Sequence, residues 1–419
     1  MPRPIRPTSA FPKTSRSGLV DRAAVSIGPV GNGIQTDVLL VGGGVASVRS
    51  ARTLRRKGFD GSILLVGDEA LPPYNRPPLS KELLREGHPA ELLAAEPAGW
   101  YERHHVELLT GVTVAQLEPD ESRATLADGR SIRFEHCLLA TGAAPRAVPV
   151  PGGQDALLLR TLEDAQHLRA AAVSAPPGAQ VVVVGGGLIG VEVASGLAAL
   201  GLEPTVVELG DSLWAGSLGA LLSGWALERL REAGVTVRLG AAVTALGAGG
   251  AWIAEERIPG AFVVAGIGVR PRDELAAAAG LAVAGGVVVD ADQRSSHPAV
   301  WAAGDVARLA GRAGEHWHAA RDSGERAALS ILGLPVAPPR APWIFTEVAG
   351  VAVDIFGDAV AGDEERWMLD GGAIARMRDH RLVQLIVIGS GIPAEAARGL
   401  VEQGASEADL RRAVAEKCV

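Results

Sequence analysis

A glycine pattern near the start of the chain has the spacing of a turn that holds a pyrophosphate. Gly42, Gly44 and Ser47 form Gly-x-Gly-x-x-Ser, which follows the apolar run 37–41 and precedes the helical stretch 45–57. Glycines there let backbone N–H groups at the helix start approach phosphate oxygens. Ser47 replaces the usual third glycine, and its small side chain should preserve the contact between helix and strand. We therefore predict a dinucleotide site.

The complete pattern recurs about 143 residues later. Gly185, Gly187 and Gly190 follow the apolar run 181–184 and precede a second helical stretch, 188–200. The correct order of strand, turn and helix makes the pattern far more specific than the glycines alone. It predicts a second dinucleotide site.

An acidic residue about 20 positions after each pattern would hold a ribose. Asp68 follows the strand predicted at 62–66, and Glu208 ends the strand predicted at 204–208. A carboxylate at Glu208 would accept hydrogen bonds from both ribose hydroxyls and repel a 2′-phosphate. No arginine follows it in 209–212, so we predict NAD rather than NADP at the second site.

Glu192 lies two positions after Gly190, inside the second helical stretch. It is either a carboxylate close to a nicotinamide or a helix carboxylate that suits the dipole. The residues alone leave both readings open.

The segment Leu71–Lys81 reads LPPYNRPPLSK. It resembles the flavin-side loop of the FAD-dependent ferredoxin reductases, which include putidaredoxin reductase, rubredoxin reductase and dioxygenase reductase components. Four further segments share the resemblance: 140–142 (ATG), 160–164 (RTLED), 266–271 (GIGVRP) and 302–305 (AAGD). Together they extend it over about residues 37–415.

The resemblance implies FAD and NADH as cofactors, with Lys81 near the isoalloxazine ring and Glu192 as its partner. Asp305 would bind the ribityl chain, and Trp317 would lie near the flavin. The implied FAD contacts are Gly42, Gly44, Ala46, Asp68, Arg76, Lys81, Val112, Ala140, Arg160, Asp305 and Trp317. The implied NADH contacts are Gly185, Gly187, Gly190, Glu208 and Gly268.

The chain departs from the family pattern at two places. Phe345 stands where the family has Trp, and Val348 stands where it has Gln. The segment 214–218 lacks the arginine that is usual in the family. These departures bear on flavin tuning and on the choice of partner.

The positions of these residues require an α/β fold. We predict two Rossmann-like, doubly wound nucleotide-binding domains and a small α+β C-terminal domain. The predicted bounds are 1–35 for a disordered leader, 36–147 with 271–335 for the FAD-binding domain, 148–270 for the NAD-binding domain, and 336–419 for the C-terminal domain.

Composition narrows the function classes. The net charge of −8 argues against a nucleic-acid partner. The longest apolar run, 181–200, contains successive glycines and Glu192, so it predicts a buried strand and helix rather than a membrane span. With no secretory signal, we expect a cytoplasmic monomer or homodimer without a membrane partner.

Cys137 and Cys418 are the only cysteines in the sequence, and they form no CxxC pair. A redox dithiol therefore cannot pass electrons from the flavin to an acceptor, and we expect an external protein acceptor instead. We expect no metal site, and we expect four histidines at the surface or in loops: His104, His105, His316 and His318.

The leading hypothesis is a flavoprotein reductase that passes electrons from NADH through FAD to a ferredoxin-like or rubredoxin-like acceptor, which serves a P450 or Rieske oxygenase. Alternatives are an NADH oxidase, a flavoenzyme acting on a small molecule, and a redox-sensing protein that resembles apoptosis-inducing factor.

Overall fold

A computed structural model describes residues 33–87, 93–368, 371–389 and 391–415. The predicted leader 1–35 lies outside the described residues except for its last three. These belong to strand β1 (Gly33–Val41), which begins four residues before the predicted start at Asp37. The early part of β1 is polar and half exposed, so its sequence shows no apolar run, yet Gly33–Thr36 pair with Ser131–Phe134 in a parallel ladder.

The first sheet is mostly parallel. Its strands are β1, β2 (Ile63–Val66), β3 (Val106–Leu109), β4 (Val114–Glu118), β5 (Arg123–Leu126), β6 (Ser131–Leu139) and β17 (Val300–Ala302). The order is β3-β2-β1-β6-β5-β4, with β17 parallel to the C-terminal end of β6. Only the β4–β5 and β5–β6 pairs are antiparallel.

Helices cover one face of this sheet. Val38 and Leu40 pack with helices α1 (Val45–Arg56) and α8 (Trp317–Ile331), while Leu39 and Val41 point into the core on the other side. Both faces are therefore buried, as a parallel sheet requires. The two helices pack closely, because a Cβ atom at Gly324 would lie only 2.2 Å from the Ala46 carbonyl oxygen.

The second sheet is wholly parallel, in the order β10-β9-β8-β14. Its strands are β8 (Gln180–Val184), β9 (Glu203–Val207), β10 (Thr236–Arg238) and β14 (Val263–Ala265). Helices α4 (Leu162–Ser174), α5 (Leu188–Ala199) and α6 (Ala220–Glu232) pack against it. A three-stranded antiparallel meander adjoins it: β11 (Ala245–Gly247), β12 (Gly250–Ile253) and β13 (Glu256–Pro259). The parallel sheets confirm the predicted α/β class.

A short ladder joins the unit around the first sheet to the unit around the second. Strand β7 (Ala143–Pro145) leaves the first unit and pairs antiparallel with β15 (Val269–Pro271), where the chain returns. The chain then forms α7 (Glu274–Ala278) and a small sheet of β16 (Val287–Val289), β18 (Ala307–Leu309) and β19 (Arg312–Ala313). The entry and exit of the second unit thus lie side by side.

The third sheet is antiparallel, in the order β20-β21-β24-β23-β22. Its strands are β20 (Trp343–Val348), β21 (Val351–Gly357), β22 (Glu364–Met368), β23 (Ala373–Arg378) and β24 (Arg381–Ile388). One face shares a core with α5 and α6, and the other packs against α9 (Ala394–Glu402) and α10 (Glu407–Ala415).

Two short helices complete the elements near the first sheet, α2 (Glu82–Glu86) and α3 (Trp100–Arg103). No helix among the described residues has the length and hydrophobicity to cross a bilayer.

Candidate functional site

A cavity of about 1030 Å³ lies at the carboxyl ends of the parallel strands of the first sheet. Ligands of doubly wound sheets bind at this edge, and the volume suits a dinucleotide. Twelve of the predicted site residues line it: Gly42, Gly44, Ala46, Asp68, Arg76, Lys81, Val112, Ala140, Arg160, Glu192, Asp305 and Trp317.

The first glycine turn offers backbone N–H groups to this cavity. Gly42 has a φ of +116°, and a Cβ atom there would lie 2.2 Å from the Ala140 carbonyl oxygen, so the turn requires glycine. Gly44 is the N-cap of α1 and brings no side chain to the first N–H groups of the helix. These groups carry the positive end of the helix dipole, so the turn suits a phosphate.

Asp68 lies at the cavity wall two residues beyond β2 and is held by an arginine from a distant segment. Arg272 Nη1 donates a hydrogen bond to Asp68 Oδ2 at 2.7 Å. Burial raises the pKa of Asp68, but this hydrogen bond and the charge of Arg272 outweigh it, so the pKa lies below its ordinary value. The group is therefore a carboxylate at neutral pH and can accept hydrogen bonds from a ribose.

Two arginines, Arg76 and Arg160, line the cavity. Arg160 Nη2 donates to Asp305 Oδ2 at 2.7 Å, while Arg160 Nε is buried without a partner among the described residues. Arg76 donates to Glu69 Oε1 at 2.8 Å and to the Arg160 carbonyl oxygen at 2.9 Å. An unpaired buried N–H is costly, so the Arg160 donor fits an acceptor on a bound group.

Lys81 and Glu192 meet at the cavity wall. Lys81 Nζ lies 2.8 Å from Glu192 Oε1, and both side chains are largely buried. Thr346 Oγ1 donates to Glu192 Oε1 at 2.7 Å, and the Ser80 hydroxyl donates to Glu192 Oε2. Glu192 is well inside α5 rather than in its first turn, so the reading as a dipole carboxylate does not apply. Two distant segments therefore converge on the carboxylate of Glu192.

Two aromatic side chains, Phe345 and Trp317, line the cavity near Lys81. Lys81 Nζ lies 5.5 Å from the centroid of the Phe345 ring, and Trp317 lies edge-on to Phe345 with ring centroids 6.5 Å apart. Behind them, His318 stacks on Trp343 at 3.6 Å between ring centroids. His318 is buried in α8, so its predicted place at the surface or in a loop is wrong. The packing of α8 on β20 buries His318. Because histidine is a polar residue, its type alone did not predict this burial.

The second glycine turn lies outside the lining of this cavity. A Cβ atom at Gly190 would lie 1.9 Å from the Gly185 carbonyl oxygen, so helix α5 starts in tight contact with the turn. Gly187 is the N-cap of α5 and, like Gly44, has no side chain for the first N–H groups. The residues Leu188 and Ile189 that follow it do line the main cavity.

Glu208 accepts hydrogen bonds from the Gly186 N–H at 2.5 Å and from the Gly210 N–H at 2.7 Å. Its carboxylate is thereby fixed beside the second turn, as a ribose acceptor requires. Gly268 lies apart, between β14 and β15, where its carbonyl oxygen accepts from the Arg146 N–H at 2.9 Å.

Comparison with known proteins identifies the family of this chain. Residues 36–324 match the family described as pyridine nucleotide-disulphide oxidoreductase. The chain belongs to this family. Its sole described cysteine, Cys137, is buried in β6, and burial raises the pKa of its thiol.

Two relatives of this oxidoreductase are named as reductases of the kind that the LPPYNRPPLSK segment resembles. The biphenyl dioxygenase system ferredoxin–NAD(+) reductase component of Paraburkholderia xenovorans (strain LB400) is 38% identical over 334 residues, which is 77% of this chain and 81% of the relative. Rhodocoxin reductase of Rhodococcus erythropolis is 35% identical over 354 residues, 81% of this chain and 82% of the relative.

Solved structures show the same architecture. Putidaredoxin reductase in a covalent complex with putidaredoxin superposes with a TM-score of 0.82 at 29% identity, covering 88% of this chain and 93% of that one. A ferredoxin reductase from Rhodopseudomonas palustris has a TM-score of 0.81 at 29% identity, covering 92% of this chain and 100% of that one. The predicted kinship with ferredoxin reductases is confirmed.

Three residues of the oxidoreductase site were not predicted from the sequence. Ser80 and Thr346 hold Glu192, and Arg272 holds Asp68. Ser80 directly precedes Lys81 within the LPPYNRPPLSK segment, so that segment carried a signal for it. Thr346 and Arg272 are far from their partners in sequence, and only the packing of the three sheets reveals them.

Proposed function

We propose that this chain is an FAD-dependent reductase that takes electrons from NADH and delivers them singly to a ferredoxin-like or rubredoxin-like protein. The observation that carries the proposal is the meeting of the first glycine turn, the start of α5 and the Lys81–Glu192 pair at one cavity. The relatives named as reductase components of dioxygenase systems support it. We extend it to a P450 or Rieske oxygenase downstream and to a cytoplasmic location.

The residues present fit FAD. The first turn and the start of α1 would bind the pyrophosphate, and Asp68 would bind the adenosine ribose. Asp305 would accept a hydrogen bond from the ribityl chain, and the unpaired Arg160 Nε would donate to the cofactor. The remaining contacts would be Ala46, Arg76, Val112, Ala140 and Trp317 along the cavity wall. FAD, when bound, accepts an electron pair and releases electrons one at a time, which links NADH to a one-electron acceptor.

The second turn would bind NADH. Gly185, Gly187 and Gly190 shape the turn for the pyrophosphate, and the fixed carboxylate of Glu208 would accept the ribose hydroxyls. Because α5 runs from this turn to the main cavity, a nicotinamide seated at its start would face the FAD cavity. Gly268 would contribute backbone contacts near the crossing between the two units.

Lys81 supplies positive charge where negative charge would grow during reduction of the flavin. Such a fixed charge in a partly dry site stabilises the transition state without reorganisation. Glu192 orients Lys81, and the hydroxyls of Ser80 and Thr346 occupy the other lone pairs of the carboxylate. Lys81 is thus the proposed catalytic residue, with Glu192 at its side.

Purification with bound FAD and an NADH titration against a panel of ferredoxins and rubredoxins test the proposal. We expect yellow protein and rapid NADH-dependent reduction of at least one of these acceptors. Protein that stays colourless after reconstitution with FAD would refute it.

A second candidate function, an NADH oxidase, rests on Phe345, which stands at the cavity wall where the resembled family has Trp. Oxygen consumption with NADH and no acceptor protein distinguishes the two. Rapid oxygen uptake together with no reduction of any ferredoxin or rubredoxin would favour the oxidase.

A further inference from the structure

The turn that follows Glu208 is held in a strained conformation. Trp214 lies in the helical turn Leu213–Gly216 and has a φ of +58°, a left-handed value that is uncommon for a tryptophan. Its indole N–H is buried and has no partner among the described residues. Such a conformation persists only where its surroundings hold it.

This turn contacts the second glycine turn directly. The backbone N–H of Trp214 donates to the Gly186 carbonyl oxygen at 2.9 Å, while the backbone N–H of Gly186 donates to Glu208 Oε2 at 2.5 Å. Leu213 is fully buried beside Gly186. A shift of the turn would therefore displace Gly186 and the Glu208 carboxylate together.

A carboxylate from the third sheet fixes the other end of this segment. Glu365 in β22 accepts hydrogen bonds from the Ala220 N–H at 3.1 Å and from the Leu221 N–H at 2.9 Å, both in the first turn of α6. The N-cap of α6 is Gly219, which has no side chain to accept these hydrogen bonds. Glu365 therefore satisfies free N–H groups and complements the helix dipole.

Arg376, in the neighbouring strand β23, forms an ion pair with Glu365. It is buried, and its Nε lies 3.5 Å from Glu365 Oε1. Its Nη1 donates to the Ser217 carbonyl oxygen at 3.1 Å, directly after the strained turn, and to Gln384 Oε1 at 3.2 Å. Side chains of the third sheet thus form hydrogen bonds with both the end of the turn and the start of α6.

We infer that Glu365 and Arg376 are positioning residues for the NADH site, although they belong to the third sheet and not to the nucleotide-binding unit. They fix the segment 213–221, which in turn fixes Gly186 and Glu208. This inference rests on the proposed use of the second turn for NADH. If the segment is released, only a fraction of the molecules presents a competent site, and the apparent affinity falls by that fraction.

The test compares Glu365→Ala and Glu365→Gln with Glu364→Ala. Glu364 lies on the same strand, but it is exposed and pairs with Arg366. The measurements are the Kd for NADH, by energy transfer from tryptophan, and KM and kcat for NADH with ferricyanide as acceptor. FAD content and thermal midpoint report on folding.

We expect Glu365→Ala to raise the Kd and KM for NADH about five- to tenfold, with kcat and FAD content within about twofold of wild type. Glu365→Gln should be intermediate, because its amide oxygen still accepts one N–H. Glu364→Ala should match wild type. If Glu365→Ala does not fold, Glu365→Gln must still raise the Kd at least about twofold.

An unchanged Kd in a folded Glu365 variant would overturn the inference, as would a wild-type protein that binds no NADH. A fall in kcat and FAD content equal to the change in KM would also overturn it, because it would indicate general damage. A wild-type protein that binds NADH and reduces ferricyanide, but reduces no ferredoxin or rubredoxin, would contradict the proposed function and leave this test intact.

Discussion

The proposed catalytic pair is assembled by contacts between residues that are far apart in the sequence. Lys81 comes from the loop before α2, Glu192 from α5 and Thr346 from β20. An ion pair joins Lys81 to Glu192, and a hydrogen bond joins Thr346 to Glu192. The ion pair is buried, so removing one partner leaves a charge without compensation, at a cost of about 3–5 kcal/mol in a fully buried case. A variant must therefore be judged on FAD content as well as on rate.

Lys81→Met should slow the reduction of bound FAD by NADH about ten- to a hundredfold, because the fixed positive charge is lost. Stopped-flow absorbance of the flavin measures this rate. FAD content should stay close to that of wild type, since the glycine turn, Asp68 and Asp305 remain. Adding Glu192→Gln should restore stability without restoring the rate.

Lys57→Met is the matched control, because Lys57 is exposed at the end of α1. An unchanged reduction rate in Lys81→Met would remove Lys81 from the mechanism.

The residues that sequence alone could identify are those with a local signature. The glycines, Asp68 and Glu208 stand at fixed offsets from predicted strands, and the LPPYNRPPLSK segment marks Arg76 and Lys81. Arg272 and Thr346 have no such signature, because each meets its partner through contacts between units. The environment of His318 was hidden for the same reason.

At the scale of elements, the start of α5 depends on the absence of a side chain at one position. Gly190→Ala would place a methyl group 1.9 Å from the Gly185 carbonyl oxygen, so the turn or the helix must move. We expect a loss of NADH affinity of about tenfold or more, with FAD retained, because the first turn is separate. The Kd for NADH and the FAD absorbance measure the two effects.

The control is Gly224→Ala in α6, where an added Cβ atom meets no atom within 4 Å. It should stabilise the protein by about 0.5–1 kcal/mol and leave the NADH affinity unchanged. Equal NADH binding by Gly190→Ala and Gly224→Ala would contradict the assigned role of the second turn.

The packing of α8 on β20 makes stability depend on pH. Burial lowers the pKa of His318 to about 4, opposed by Asp322 and assisted by Arg321. The unfolded chain binds a proton at about pH 6.5 and the folded chain does not, so the stabilisation is full above pH 6.5 and is lost as the pH falls towards 4.

His318→Gln should therefore reduce the loss of unfolding free energy between pH 7 and pH 4.5 by about 1–3 kcal/mol. Urea unfolding at the two pH values measures it. His167→Gln, at an exposed position of α4, is the control. A variant with the same pH dependence as wild type would show that His318 is not the group responsible.

At the scale of the whole molecule, docking of an acidic partner would need arginines whose charge no carboxylate already neutralises. Four arginines near the cavity and the adjoining strands pair with carboxylates: Arg270 with Glu274, Arg272 with Asp68, Arg308 with Glu315, and Arg312 with Asp358. Within the described residues, Arg321 has no ion pair, and its guanidinium lies 5.6 Å from the centroid of the Trp317 ring at the cavity.

Ferredoxins are usually acidic, so Arg321→Ala should lower kcat/KM for ferredoxin about three- to tenfold at low salt. It should also flatten the decline of the wild-type rate with added salt. Steady-state reduction of ferredoxin between low and high ionic strength measures both. Arg270→Ala is the control, since that arginine already has a partner. A wild-type rate independent of salt would contradict an electrostatic docking step.

The pairing of β7 with β15 has a consequence for how the protein can be rebuilt. Ala143 lies opposite Pro271 and Pro145 opposite Val269, so the chain leaves and re-enters the first unit through neighbouring strands about 5 Å apart. A segment whose two ends touch can be excised or transplanted with a minimal bridge. The middle of this polypeptide could therefore be exchanged as a module in place of 146–268 to change coenzyme preference, provided that the graft keeps Arg160, Glu192 and the other residues of this stretch that line the main cavity.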